Sequence, residues 1–223
     1  LQFLFNENSG LSSLLIEGEQ YKYIFKVRRH AVEQNLFFRN LENKKIYEYK
    51  VDSLDRRKAV LSLVSSEEKI IEAKKKLHIG WCVIDPKSVE KVLASLNEIG
   101  VEKITFIYCK YSQSKYKINE EKLQKLLLNS SGQCGRSSVI EIEHCSSLKE
   151  FLEQNPQSYM FNFSKNHILS KKDDIDTIVI GCEGGFESEE VALFDEEKIV
   201  GVDSDIILRS ETAAAAAAAA VLL

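Results

Sequence analysis

Two short stretches of this chain carry residue types suited to chemistry. The first is GCEGGF, residues 181–186, with glycines at 181, 184 and 185 around Glu183; the second is LRSETA, residues 208–213, with Arg209, Ser210 and Glu211 in a row. Gly184 and Gly185 permit backbone angles closed to other residues and let a ligand approach the main chain. A phosphate cradle would not hold Glu183, because a carboxylate repels phosphate. Glu187, Glu189 and Glu190 crowd the start of the next helix, where the helix dipole favours them and phosphate would compete. The P-loop lysine is missing too. The loop therefore reads as a backbone clamp for a neutral or cationic ligand. Arg209 supplies a charge just before a helix that Ser210 can cap, with Glu211 in its first turn. An ordinary glycine-rich turn and a capped helix explain the same residues, and short glycine motifs alone do not choose between the two.

The elements that must position these residues form an α/β pattern. A buried strand, Ile178–Ile180, enters the glycine loop. A short acidic helix, a second strand (Ile199–Val202), the turn DSDIILRSET and an alanine-rich helix follow. Loops at strand C-termini are where open α/β sheets bind ligands. Upstream, Leu77–Ile84 is a strand. Val89, Val92, Leu93, Leu96 and Ile99 give Lys87–Ile99 the spacing of an amphipathic helix, and Gly100 ends it. Lys103–Tyr108 completes a strand-helix-strand unit, hence a parallel pair. Leu123, Leu126 and Leu127 mark one further helix and Ser147–Gln154 another; Val139–Ile142 and Tyr159–Phe163 are strands, Asn162 in the latter.

Residues 1–68 read differently. Phe3–Phe5, Leu14–Ile16, Leu36–Arg39, Lys45–Val51 and Ala59–Val64 are short strands at regular spacing, the last two with period-2 alternation. That pattern suggests a small β-barrel. GEQYKYIFKVRRH forms a short helix ending in Lys26, Arg28 and Arg29, and Arg56, Arg57 and Lys58 occupy a turn. Such charge groups are usually solvated faces. Residues 69–76 are a polar linker, and 77–223 form the α/β domain.

The 223 residues are 44% hydrophobic and 29% charged, as in a soluble globular protein of one or two domains. No apolar run is long enough to span a membrane and no signal peptide is visible. Five cysteines without CxxC spacing fit reduced, mostly buried thiols of a cytoplasmic protein. Four scattered histidines suggest no metal site. A net charge of −4 argues against nonspecific coating of nucleic acid but leaves room for a local basic face.

The pairing GCEGGF … DIILRSETA resembles the signature of SPOUT-class RNA methyltransferases, specifically the RsmE family, whose pattern is I-G-P-E-G-G-(F/L)-S-x-x-E followed by L-G-x-R-I-L-R-(T/S)-E-T-A. Ile180, Gly181, Glu183, Gly184, Gly185 and Phe186 match the first element, with Cys182 in place of Pro. Leu208 to Ala213 match the second; Ser204 stands for the family Gly and Ile206 for its first Arg. The resemblance spans nearly the whole chain. Glu98, Gly100 and Val101 match K-x-x-E-L-G-V, with Ser95 for the Lys. Gln133, Cys134, Gly135 and Arg136 match Q-C-G-R. Ser114 matches the Ser after the Arg of S-E-R-S, but Gln113 replaces that Arg. YIFKVRR is the counterpart of H-x-x-x-V-L-R, with Tyr23 for the His, Arg28 for the Leu and Arg29 matching the Arg.

The resemblance implies a PUA-like RNA-binding barrel before a SPOUT domain with a trefoil knot. It implies S-adenosylmethionine as cofactor, held by Asn162, Gly181, Glu183, Gly184, Gly185, Ser204, Ile207, Leu208 and Ser210. The implied reaction methylates N3 of a uridine in 16S ribosomal RNA of the small ribosomal subunit. Arg209 becomes the candidate for stabilising the uracil anion. No clear general base stands out; Glu211 could serve, but pairing with Arg209 or helix capping suits it better. Lys26, Arg28, Arg29, Lys115, Lys117 and Arg136 are the candidate RNA contacts, Arg136 equally able to cap a helix C-terminus. A homodimer is expected through the apolar faces of the Lys87 helix and the C-terminal helix. A catalytically weakened RNA-binding relative fits the lost cations at Ser95, Gln113 and Ile206, and a methyltransferase for another RNA fits too, because the fold does not fix the substrate. A metabolic nucleotide-binding enzyme does not, since neither glycine-rich nucleotide fingerprint is present.

Overall fold

The computed structural model describes residues 2–113 and 115–223, so Ser114 lies outside the described residues. By contacts the chain divides into two compact units, Leu1–Glu72 with Leu128–Ser138, and Ala73–Leu127 with Val139–Leu223.

In the first unit, β1 (Leu4–Phe5), β2 (Ser13–Glu17), β3 (Leu36–Arg39), β4 (Lys45–Leu54) and β5 (Lys58–Glu68) form one sheet in the order β1-β3-β4-β5-β2. Only the β1–β3 pair is parallel. Two register shifts in the β4–β5 ladder bend it, and the sheet packs Leu14, Ile16, Phe38, Tyr49 and Leu61 into one core. The expected helix is α1 (Gly18–Tyr21), continued by π-helical turns over Lys22–Val27. It drops Tyr21 and Ile24 into that core. β5 runs on through the polar residues 65–68, paired with β4 as far as Glu68 with Lys45.

Leu128–Ser138, assigned by sequence to the α/β domain, belongs to the first unit. The reason is a backbone seam. Ser137 N–H donates to the Ile71 carbonyl (2.8 Å), Ile71 N–H to Ser137 Oγ (2.7 Å), and Gln2 N–H to the Gly132 carbonyl (2.8 Å). The chain just after β5 is thus held in place.

The second unit contains a six-stranded parallel sheet, ordered β11-β9-β10-β6-β7-β8. Its strands are β6 (His78–Cys82), β7 (Lys103–Ile107), β8 (Glu141–Cys145), β9 (Tyr159–Phe161), β10 (Thr177–Ile180) and β11 (Ile199–Val200). Buried strands of a parallel sheet read as continuous apolar runs, which explains why Ile178, Val179 and Ile180 are all buried. α2 (Pro86–Ile99) starts at Asp85, whose side chain accepts Lys87 N–H, and ends at left-handed Gly100 (φ 109°). α3 (Glu120–Cys134) starts in this unit and ends in the segment assigned to the first; α4 (Leu148–Gln154), α5 (Ile168–Lys171), α6 (Ser188–Val191) and α7 (Ser210–Leu222) complete the set.

The chain leaves β11 at the sheet edge and returns to start α7 beside the ends of β6 and β10. On the way Gly201 is enclosed by the segment after β9: it donates to the Asn166 carbonyl (2.9 Å) and accepts from Ile168 N–H (2.9 Å). A Cβ at Gly201 would stand 2.5 Å from the Asn162 carbonyl oxygen. The trefoil knot that the resemblance implies would run through this passage.

Two expectations change here. Val89, Leu93 and Leu96 of α2 and Ala214, Ala217 and Ala218 of α7 are buried, because the two helices pack on each other; their apolar faces are not free surface. Cys82 and Cys109 form a disulfide, where all cysteines were expected reduced. They close the ends of the neighbouring strands β6 and β7, with Cα atoms 5.6 Å apart, within the span a disulfide needs.

Candidate functional site

Everything at the carboxyl ends of β9, β10 and β11 converges on one cavity of about 290 Å³. All nine residues that the resemblance gives to the cofactor line it: Asn162, Gly181, Glu183, Gly184, Gly185, Ser204, Ile207, Leu208 and Ser210. Phe163, Phe186, Val202 and Ile206 also line it. Phe186 and Ile206 fall within the two motifs, whereas Phe163 and Val202 read in the sequence as ordinary apolar residues near a strand end.

The glycines of the loop work in different ways. Only Gly185 takes a left-handed conformation (φ 72°). Its N–H returns to the Cys182 carbonyl at 3.0 Å and tightens the turn. Gly184 needs room rather than conformational freedom: a Cβ there would meet Tyr111 Cβ at 2.9 Å. At Gly181 a Cβ would crowd the Phe186 ring at 3.1 Å. Cys182 is buried, and burial pushes its thiol pKa up, so it sits in the loop as a neutral packing residue. Glu187 and Glu190 form a reciprocal capping box at the start of α6.

Ser210 was expected to cap the last helix. Instead Arg209 holds the cap position in extended conformation (φ −66°, ψ 155°). Ser210 is the first helical residue, and its side chain faces inward. Trp81 Nε1–H donates to Ser210 Oγ at 2.8 Å, and Ser210 Oγ donates to the Gly181 carbonyl. One buried hydroxyl therefore joins β6, the end of β10 and the start of α7.

Glu183 is the one charged residue among those lining the cavity. Its carboxylate accepts the Asp85 N–H at 3.1 Å. With no cation among the lining residues, the cavity suits a neutral or positively charged ligand and disfavours phosphate. Phe163, Ile206 and Ile207 are about three-quarters exposed (76%, 74% and 76%), an apolar rim of the kind that binds a ligand or partner. These features fit S-adenosylmethionine: glycine backbone for close approach, apolar walls for an adenosyl group, and a carboxylate compatible with a sulfonium.

Arg209 is exposed and Glu211 half-buried; neither lines the cavity, though Leu208 and Ser210 beside them do. Among the described residues no ion pair joins Arg209 to Glu211.

The sequence has relatives that bear on this site. An RNA methyltransferase domain model matches residues 72–222. The Ribosomal RNA small subunit methyltransferase E of Helicobacter pylori strain J99 is 35% identical over 216 residues, 96% of each chain. The chain belongs to the RsmE family. The Aquifex aeolicus enzyme of the same name is 25% identical over 95% of this chain and 94% of its own. A Neisseria gonorrhoeae Ribosomal RNA small subunit methyltransferase E, solved with S-adenosylmethionine, shares the fold: TM-score 0.78 at 16% identity, covering 99% of this chain and 96% of the other. Departures from the RsmE pattern can now be located. Ile206, in place of the first family Arg, stands on the exposed rim of the cavity, and Cys182, in place of Pro, is buried beneath the loop.

The candidate RNA contacts of this RsmE member fall in separate places. Lys26, Arg28 and Arg29 are exposed in the first unit. Arg28 Nε donates to the Tyr23 hydroxyl at 2.8 Å, and Arg29 adopts a left-handed turn (φ 51°) that ends the π-helical run. Lys115 and Lys117 are exposed in the second unit, alternating with Tyr116 and Ile118, which pack on its core. Arg136 is only 8% exposed, and its Nε donates to Ser138 Oγ at 3.1 Å. It follows Gly135, which closes α3 in left-handed conformation (φ 91°) with N–H to the Ser131 carbonyl at 2.8 Å. Its burial at a helix end favours the structural reading of Arg136 over a phosphate contact.

Ser210→Ala should leave the buried Trp81 indole N–H without its partner. Such a loss costs about 1–3 kcal/mol. The expected result is a lower unfolding midpoint in denaturant together with weaker S-adenosylmethionine binding by calorimetry. Unchanged values for both would show that the hydroxyl is dispensable.

Proposed function

We propose that this protein is a cytoplasmic enzyme that transfers a methyl group from S-adenosylmethionine to N3 of a uridine in 16S ribosomal RNA. The observation that carries this reading is the single cavity shared by the GCEGG loop and the segment before α7, in a chain of the RsmE family. S-adenosylmethionine bound there supplies a methyl group made electrophilic by its sulfonium. The protein's remaining task is orientation and charge stabilisation. Uridine N3 carries a weakly acidic proton, so negative charge develops on the imide as that proton leaves. Arg209 adjoins the cavity-lining Leu208 and Ser210, its side chain has no hydrogen-bond or ion-pair partner among the described residues, and its planar fork can donate two directed hydrogen bonds to a uracil oxygen. Glu211, two residues on, is the carboxylate we assign to accept the proton. Lys26, Arg28 and Arg29, with Lys115 and Lys117, would neutralise backbone phosphates of the substrate.

A homodimer belongs to the same reading. Since α2 and α7 bury apolar residues against each other, we assign the exposed apolar rim of Phe163, Ile206 and Ile207 as the surface for a second copy.

Mapping of modified nucleotides in small-subunit RNA should show one N3-methyluridine that disappears on gene deletion and returns with the wild-type gene. Arg209→Ala should lower turnover by roughly a hundredfold, the scale of losing one donor to a developing anion, with cofactor affinity falling less. Loss of folding or of cofactor binding would make Arg209 structural instead. Replacing Arg28 and Arg29 together by Ala should weaken RNA binding and flatten its salt dependence by up to about two log units per log salt; identical binding at every salt concentration would reduce them to surface charges. Sedimentation at micromolar concentration should report twice the chain mass, and a monomer would remove the dimer from this account.

A further inference from the structure

Tyr111 stands at the first Ser of the S-E-R-S pattern, a position given no role above, and it is held by several contacts. It sits on the turn Cys109–Ser112, closed by Ser112 N–H to the Cys109 carbonyl (3.1 Å) and by Cys109 N–H to Ser112 Oγ (3.3 Å). Cys109 is tied to Cys82 by the disulfide. Lys110 N–H donates to Glu190 Oε1 at 2.9 Å, and the other oxygen of Glu190 accepts Glu187 N–H at 2.9 Å. The turn is thus fastened to the start of α6, just beyond the glycine loop. The ring itself leans on Gly184: a Cβ there would meet Tyr111 Cβ at 2.9 Å, Cγ at 3.3 Å and Cδ2 at 3.5 Å.

Despite these anchors Tyr111 is 49% exposed, and among the described residues its hydroxyl has no hydrogen-bond partner. The hydroxyl therefore does not hold the ring in place, and the turn and Gly184 do. An aromatic ring fixed by its neighbours loses little freedom when something stacks on it. Exposed Lys115 and Lys117 lie on the same stretch of chain, after Lys110, whose ammonium pairs with Glu187 Oε2 at 3.8 Å, so a flat apolar face is accompanied by cations. That combination, an aromatic platform with lysines along its own loop, is how proteins hold single-stranded nucleic acid.

We propose that Tyr111 is a positioning residue that stacks a base of the single-stranded RNA substrate beside the methyl-transfer cavity. The inference rests on the function proposed above. The ring does not line the cavity, so it orients the strand and does not hold the cofactor.

The test uses full-length protein, S-adenosylmethionine and small ribosomal subunits from a strain lacking the gene. Stacking on an aromatic is worth about 1–3 kcal/mol per base, about five- to 150-fold in affinity at tenfold per 1.4 kcal/mol. Tyr111→Ala should raise KM for the subunit by at least about fivefold, with kcat and the S-adenosylmethionine Kd within about twofold of wild type. Tyr111→Phe and Tyr111→Trp should restore KM, because each keeps a stacking face. An unchanged KM in Tyr111→Ala overturns the proposal. A parallel loss of cofactor affinity also overturns it, by making the ring a prop for the glycine loop. So does a Tyr111→Phe variant as poor as Tyr111→Ala, which would assign the effect to the hydroxyl. Wild-type protein that binds cofactor but methylates no uridine of the subunit would defeat the function reading itself, and this inference with it.

Discussion

Ser210 places one hydroxyl between the Trp81 indole and the Gly181 carbonyl, and the cavity depends on that junction. Trp81 is fully buried in β6 beside β10, so its N–H needs a partner that only the incoming chain can supply. The Gly181 carbonyl lies where β10 opens into the loop. By meeting both, Ser210 fixes where α7 begins and therefore where Leu208 and Arg209 stand. The alanines of α7 then allow close packing on α2, since small side chains bring backbones together. A helix this short on polar contacts gains its position from the junction at its start and from burial along its length.

The glycine loop shows how one motif satisfies several separate constraints. Gly185 answers a conformational demand, Gly184 a steric one from Tyr111, and Gly181 a steric one from Phe186. Glu183 adds a tie to the start of α2 through Asp85 N–H. The capping box of Glu187 and Glu190 explains the local excess of carboxylates: Glu190 serves both its own helix and the Lys110 backbone. These acids are structural partners of backbone N–H groups, and their presence by a ligand loop has a local cause.

Charge is divided by place. The cavity lining carries Glu183 and no cation, which matches a cationic cofactor. The exposed cations of Lys26, Arg28 and Arg29 stand close to aromatic rings or at the end of a π-helical run; Lys26 lies over Tyr21 and Arg28 over Tyr23. Lys115 and Lys117 project outward while Tyr116 between them and Ile118 after them pack on the core. An acidic protein can in this way present basic surface to RNA without a basic composition.

Local patterning carried much of this protein. Alternation along β4 and β5, the 3.6-residue spacing of α2, the apolar run of β10 and the glycines of the loop all lie in short windows, where side-chain period and backbone freedom act directly. The family motifs named nine residues that line one cavity in the structure. Tertiary structure decided the rest. That Ser210 faces Trp81, 129 positions away, that α2 and α7 consume each other's apolar faces, that Leu128–Ser138 joins the first unit, that Arg136 is buried, and that Cys82 meets Cys109 are all long-range pairings. No periodicity encodes them, because each depends on which distant segment the fold brings alongside.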